Sequence, residues 1–155
     1  MIKQIMPVNY DQVIKLLPQG YPFIFIDRIE ANETGEVFAY KNITHGDYLA
    51  VDMETKRLVF PPSLIVEAMG QATVALTVKN PEIYNADHVW LAGGALEIEF
   101  FRNVYPGDRL VFKNIISKII STGAIMTSVA MVDGEIVAKG TLFSIIKPKA
   151  ETINE

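Results

Sequence analysis

The run Pro62-Ser-Leu-Ile-Val-Glu-Ala-Met-Gly-Gln-Ala-Thr-Val-Ala-Leu-Thr-Val78 decides the fold. Proline suits the first turn of a helix, where the backbone N–H groups have no intrahelical acceptor. The spacing predicts one long helix that starts near Pro62 or Ser63 and ends before Pro81. Nearly every side chain in it is apolar or small, so no face of this helix suits water. It must be wrapped by protein. Glu67 is the only charged residue in the run. A buried carboxylate is costly unless it is paired, protonated or beside a cavity.

Working outward, the downstream chain supplies the wrapping. Val89 to Ala92, Ala95 to Arg102, Arg109 to Ile120, Gly123 to Val132 and Glu135 to Ile146 read as strands. Gly93-Gly94, Pro106-Gly-Asp108 and Asp133-Gly134 punctuate them. Upstream, Val13, Ile14 and Leu17 fall at helical spacing within Asp11–Leu17, and Pro18 stops that helix. Phe23 to Ile29 reads as a short buried strand, Asn32 to Gly35 as a turn, and Glu36 to Ile43 as its hairpin partner. Residues 45–60 read as an irregular loop. These elements imply an α+β fold in which an antiparallel sheet curls around a long central α-helix, with residues 1–155 as one domain.

Composition excludes several classes. Half of the residues are hydrophobic and 21% are charged, which argues against disorder. A net charge of -4 gives no electrostatic footprint for nucleic acid. Without cysteine there is no disulfide, thiolate metal site or cysteine nucleophile, and nothing points to a metal or a cofactor. No apolar run has the length of a signal core or a membrane span, so a soluble cytoplasmic domain is expected.

Three segments carry a resemblance. Leu16-Leu-Pro-Gln-Gly-Tyr-Pro-Phe-Ile-Phe-Ile-Asp-Arg28 resembles the opening of FabZ-type (3R)-hydroxyacyl-acyl carrier protein dehydratases, which read Pro-His-Arg-Tyr-Pro-Phe at its centre. Pro61-Pro-Ser-Leu-Ile-Val-Glu-Ala-Met-Gly-Gln71 is similar to their central-helix motif. Phe101-Arg-Asn-Val-Tyr-Pro-Gly-Asp-Arg-Leu110 resembles their strand and turn. The resemblance implies a hotdog fold whose protomers pair their sheets, with active sites at the dimer interface. There a histidine from one subunit faces a glutamate on the other's central helix. A backbone N–H at the motif's final glycine polarises the thioester carbonyl.

Dehydrating a 3-hydroxyacyl thioester needs a base near neutral pKa, an acid for the departing hydroxyl, and a fixed donor to the thioester oxygen. Glu67 matches the family's glutamate, and Gln71 follows one helical turn later on the same face. Counting back fourteen residues from Glu67 reaches Met53, which cannot accept a proton at neutral pH. The glycine position holds Pro62, which has no N–H, although the N–H of Ser63 could stand in. The resemblance therefore places Glu67, Gln71, Met53, Pro62 and Ser63 around an acyl thioester with two of three catalytic roles missing.

His45 is a candidate displaced base, set against the plain reading of an exposed loop residue; His88 reads as surface. Asp47 and Asp52 could activate water, but loop aspartates usually form turns. Alternation pairs Ile98 with Phe100 on one strand face, where a phenylalanine could line an acyl tunnel. Arg102, Arg109 and Lys113 either meet an acidic carrier protein or form a solvated face. The resemblance implies acyl carrier protein or acyl-CoA as partner, in a homo-oligomer or in a heterodimer with a catalytic paralogue. Three functions remain open: a partner-dependent acyl-binding subunit, a thioesterase using Glu67, or a dehydratase using His45.

Overall fold

The computed structural model describes residues 7–33, 36–79 and 88–148. The chain opens with α1 (Tyr10–Leu16), where the Asn9 side chain accepts from the Gln12 N–H and the Gln12 side chain accepts from the Asn9 N–H. This reciprocal cap satisfies two donors that a helix start leaves bare. Then follow β1 (Arg28–Ala31), β2 (Val37–Asn42), β3 (Ala50–Val51), β4 (Leu58–Val59), α2 (Pro62–Gln71) and α3 (Val74–Lys79). The last four strands are β5 (His88–Phe100), β6 (Arg109–Ile120), β7 (Gly123–Val132) and β8 (Glu135–Pro148).

Six strands form one sheet in the order β1-β2-β6-β7-β8-β5, with every pairing antiparallel. Ile65, Ala68, Met69 and Ala72 are buried on the α2 side of the core, and Phe112, Met126, Ala130 and Leu142 are buried on the sheet. The two alanines let the helix lie close while Ile65 and Met69 fill the depth. This is the sheet wrapped around a helix that the sequence predicts.

Four expectations are corrected. The single long helix is two, because the Thr73 hydroxyl donates to the Gly70 carbonyl at 2.7 Å and the Thr73 N–H bonds the same oxygen at 3.1 Å. That local bonding competes with the helical ladder; the predicted end before Pro81 lies outside the described residues. The buried strand expected over Phe23–Ile29 meets β2 only from the Asp27 N–H onward, which bonds the Tyr40 carbonyl at 2.7 Å, since the Phe23 carbonyl and Phe25 N–H are bonded by the Gln71 side chain instead. The loop over 45–60 contains the hairpin β3–β4. The two strands expected on either side of Gly93-Gly94 are one strand, β5, with irregularities at Ala92/Gly94 and Ala95/Glu97. The Asn32 N–H bonds the Glu36 carbonyl at 2.8 Å around the predicted turn, whose residues 34 and 35 lie outside the described set.

β5 depends on a glycine across from it. A Cβ on Gly140 would sit 2.0 Å from the Glu97 carbonyl oxygen, a backbone atom that cannot rotate away. Gly140→Ala is expected to push β5 off β8 at a cost of about 2–3 kcal/mol. Thermal unfolding checks it as a fall in Tm of about 4–12 °C.

No helix among the described residues is long and apolar enough to cross a membrane.

Candidate functional site

Glu67 and Gln71 stand one turn apart on α2. Gln71 is 2% exposed, and its carboxamide is fully used. Its Oε1 accepts from the Phe25 N–H at 2.8 Å, and its Nε2 donates to the Phe23 carbonyl at 3.1 Å and to Glu67 Oε1 at 2.9 Å. A second amide reaches the same carboxylate oxygen: Gln19 Nε2 donates to Glu67 Oε1 at 3.2 Å. Glu67 is thereby held from two sides through Oε1, while among the described residues Oε2 has no hydrogen-bond donor.

Glu67 lines a cleft of about 240 Å³ between α2 and the β5–β8 edge, with Gly70, Thr73, Gly93, Gly94 and Phe143. The Phe143 ring lies where a Cβ on Gly93 would be, 2.2 Å away, and Gly94 has φ +151. Glycine is therefore needed at both positions to let the ring floor the cleft. A half-buried carboxylate with one oxygen anchored and one free can take or give a proton, or attack a carbonyl carbon, at a group placed in this cleft.

The start of α2 borders a second cleft of about 280 Å³, lined by Phe60, Pro62, Ile65, Phe100 and Phe101. The Pro61 carbonyl accepts from the N–H groups of Leu64 at 2.9 Å and Ile65 at 3.1 Å. Pro62 has no N–H, so exposed Ser63 carries the first backbone N–H of the helix. Phe100 thus borders this cleft while remaining 43% exposed, and Ile98 on the same strand face packs against the core.

Met53 lies at the tip of the β3–β4 hairpin and is 76% exposed; it does not line the Glu67 cleft. The tip is built by Asp52, whose carboxylate accepts from the Glu54 and Thr55 N–H groups, the Thr55 hydroxyl and the Asn103 amide. Arg57 stacks on the Tyr105 ring at 3.8 Å, a second tie between the hairpin and the turn before β6. The bonds from Thr55, aided by Asn103, hold the Asp52 carboxyl down at about 2 against an ordinary 3.8. A depressed acid stabilises the folded form above its unfolded pKa and loses that contribution as pH falls through the folded value. The hairpin is therefore expected to be fully held above pH 3.8 and to loosen as pH falls toward about 2. Amide exchange at Thr55 and Glu54 across that window checks it.

His45 sits in the exposed turn closed by the Asp47 N–H to the Thr44 carbonyl at 3.2 Å. Asp47 caps that turn through Thr44 and pairs with buried Lys41 at 2.8 Å. Despite partial burial, its carboxyl is held below the usual range by Lys41 and Thr44. Both loop aspartates thus form turns. His88 begins β5, and its side chain lies outside the described residues. The three cations have intramolecular partners: Arg102 faces Asp108 and Glu135, Arg109 stacks on Tyr40, and Lys113 pairs with Glu36.

The structure brings Glu67 and Gln71 together and adds Gln19, which the sequence reading did not single out. Its signal was present: Gln19 stands where the resembled segment reads histidine. Comparison with known proteins places the chain in a family. Residues 17–141 match the model of the FabA-like domain. The chain belongs to the FabA-like family. FabA-like relatives include the 3-hydroxyacyl-[acyl-carrier-protein] dehydratase FabZ of Lactococcus lactis subsp. cremoris strain MG1363, 32% identical over 87% of this chain and 92% of the relative. FabZ of Cronobacter sakazakii is 31% identical over 87% of this chain and 90% of its own length. Among solved structures, a chain of the dehydratase heterocomplex ApeI:P from Xenorhabdus doucetiae superposes with TM-score 0.69 at 16% identity, covering 92% of this chain and 97% of that one. The fluoroacetyl-CoA thioesterase FlK superposes with TM-score 0.62 at 11% identity, over 75% of this chain and 87% of FlK. Both likenesses are of fold, and they agree with the hotdog architecture.

Proposed function

We propose that this FabA-like chain is an acyl-thioester-binding subunit that lacks autonomous dehydratase activity and supplies Glu67 to a site completed by a histidine-bearing partner. One observation carries the reading. Glu67 is anchored by Gln19 and Gln71 beside a cleft, while the positions matching the family's base and carbonyl donor are an exposed methionine and a proline. Two amides spent on orienting a carboxylate suit a group that still meets a ligand. A thioether cannot take the proton next to a thioester carbonyl, and Pro62 cannot donate to that carbonyl. The ApeI:P heterocomplex supports the reading, because it is a dehydratase assembly of unlike subunits on this fold. The thioester would arrive on acyl carrier protein or coenzyme A in the reducing cytoplasm, as in fatty-acid or polyketide-like chain building.

The purified chain is expected not to hydrate crotonyl thioesters. Co-expression with a histidine-bearing dehydratase of the same family should yield a stable complex. Turnover by the chain alone would defeat the proposal, and His45→Ala would then show whether His45 is the base.

A second reading rests on Ser63, whose N–H is the first on α2 and has no acceptor among the described residues. With that donor, Glu67 could serve as base or nucleophile in thioester hydrolysis. Release of free thiol from acyl-CoA or acyl carrier protein thioesters, lost in Glu67→Gln, would favour it.

A further inference from the structure

The cleft beside Glu67 has a polar start and an uncharged run beyond it. Glu67, Gly70 and Thr73 line it at three-residue spacing along α2 and the turn that ends it. Residues so spaced share one face. At a rise of about 1.5 Å per residue, Glu67 and Thr73 stand about 9 Å apart along the axis, with Gly70 midway. Gly93, Gly94 and the Phe143 ring line the opposite side. Among the described residues, Glu67 is the only charged group on the lining, and the Thr73 hydroxyl proton is spent on the Gly70 carbonyl at 2.7 Å.

Gly70 stands out within this lining. It lies inside the helical run Pro62–Gln71, where glycine is weaker than alanine and a right-handed helix has no need of it. A side chain at position 70 would project from the same face as Glu67, into the cleft of about 240 Å³. That volume is under the roughly 300 Å³ at which pockets begin to take drug-sized ligands, and it suits a single unbranched chain.

We infer that the cleft takes the acyl chain of a medium-length thioester and that Gly70 determines which lengths gain from it. The inference rests on the reading of Glu67 as a thioester-facing group. With the second and third acyl carbons at Glu67, the chain runs toward Thr73. An extended chain advances roughly 1.3 Å per carbon on bonds of about 1.5 Å, so about seven further carbons span the lined stretch of about 9 Å. Contact with the lining therefore ends near the tenth carbon. A butyryl chain stops short of Gly70, and an octanoyl chain passes it.

The test titrates the full chain calorimetrically with butyryl-, octanoyl-, decanoyl- and tetradecanoyl-CoA. Affinity is expected to rise about fourfold per methylene up to decanoyl, the worth of one buried CH₂, and to stop rising by tetradecanoyl. Gly70→Ala is expected to weaken octanoyl-CoA by about tenfold and leave butyryl-CoA within about twofold of the parent. Its Tm should stay the same or rise, because alanine favours the helix. Affinity that still climbs at tetradecanoyl, or octanoyl binding untouched by Gly70→Ala, overturns the inference. So does an equal loss for butyryl and octanoyl with a lowered Tm, which would make Gly70 a packing residue. The two claims separate in the heterodimer: a length profile that holds while Glu67→Gln leaves hydration intact sinks the reading of Glu67 alone. If no acyl-CoA binds, both fall.

Discussion

Glu67→Gln is expected to lower the hydration activity of a purified heterodimer with a histidine-bearing dehydratase by about 10³-fold, within the usual range for losing a positioned acid or base. Crossed sites are the reason. In a dimer where each site joins one subunit's histidine to the other's glutamate, the mixed pair has one site with the partner's histidine and Glu67. Its other site has the partner's glutamate and Met53. Only the first can work. Removing the partner's own glutamate should therefore leave the heterodimer active, while Glu67→Gln silences it. Glutamine keeps the side-chain shape and can still meet Gln19 and Gln71, so the Tm of the complex should change little. Hydration of a crotonyl thioester by a dual-tagged complex, free of partner homodimer, reads the outcome. If the partner's glutamate proves essential and Glu67 dispensable, the chain is a stabilising subunit rather than a donor of a catalytic group.

Gln71→Leu is expected to cost about 3 kcal/mol of stability, because it breaks three hydrogen bonds at once in a buried place. The Phe25 N–H loses its acceptor although Phe25 is 1% exposed. The Phe23 carbonyl and Glu67 Oε1 each lose a donor. Leucine fills the volume, so the loss is chemical rather than a cavity. Thermal unfolding should shift down by about 6–12 °C for a chain of this size. The Phe25 amide should also exchange faster than in the parent, since the Gln71 carboxamide serves it in place of a strand partner. A Tm within about 1 °C of the parent would mean that the carboxamide is replaceable by water.

These two substitutions show what could be read along the chain. Glu67 and Gln71 were legible because four residues make one helical turn, and a lone charge on an apolar helix stands out. The departures at Met53 and Pro62 were equally plain, since a thioether and an imide nitrogen are excluded from their roles by chemistry that needs no coordinates. Gln19 was not singled out: it meets Glu67 across 48 positions of sequence, and no periodicity links a loop amide to a distant helix. The break at Thr73 was missed because its hydroxyl bonds the Gly70 carbonyl only once the turn has closed. The hairpin within 45–60 was missed because it rests on Asp52 bonding Asn103 from another loop.

By itself the sequence determined the α+β class, the wrapped helix and the order of the main strands, and it named the roles that Met53 and Pro62 are proposed to leave unfilled. Those follow from side-chain period and from which atoms a residue carries. Tertiary structure alone decided which atoms of Glu67 are anchored and where the segment before β1 finds its hydrogen bonds. Such facts depend on which distant groups come within about 3 Å of one another, and packing sets that distance, not local pattern.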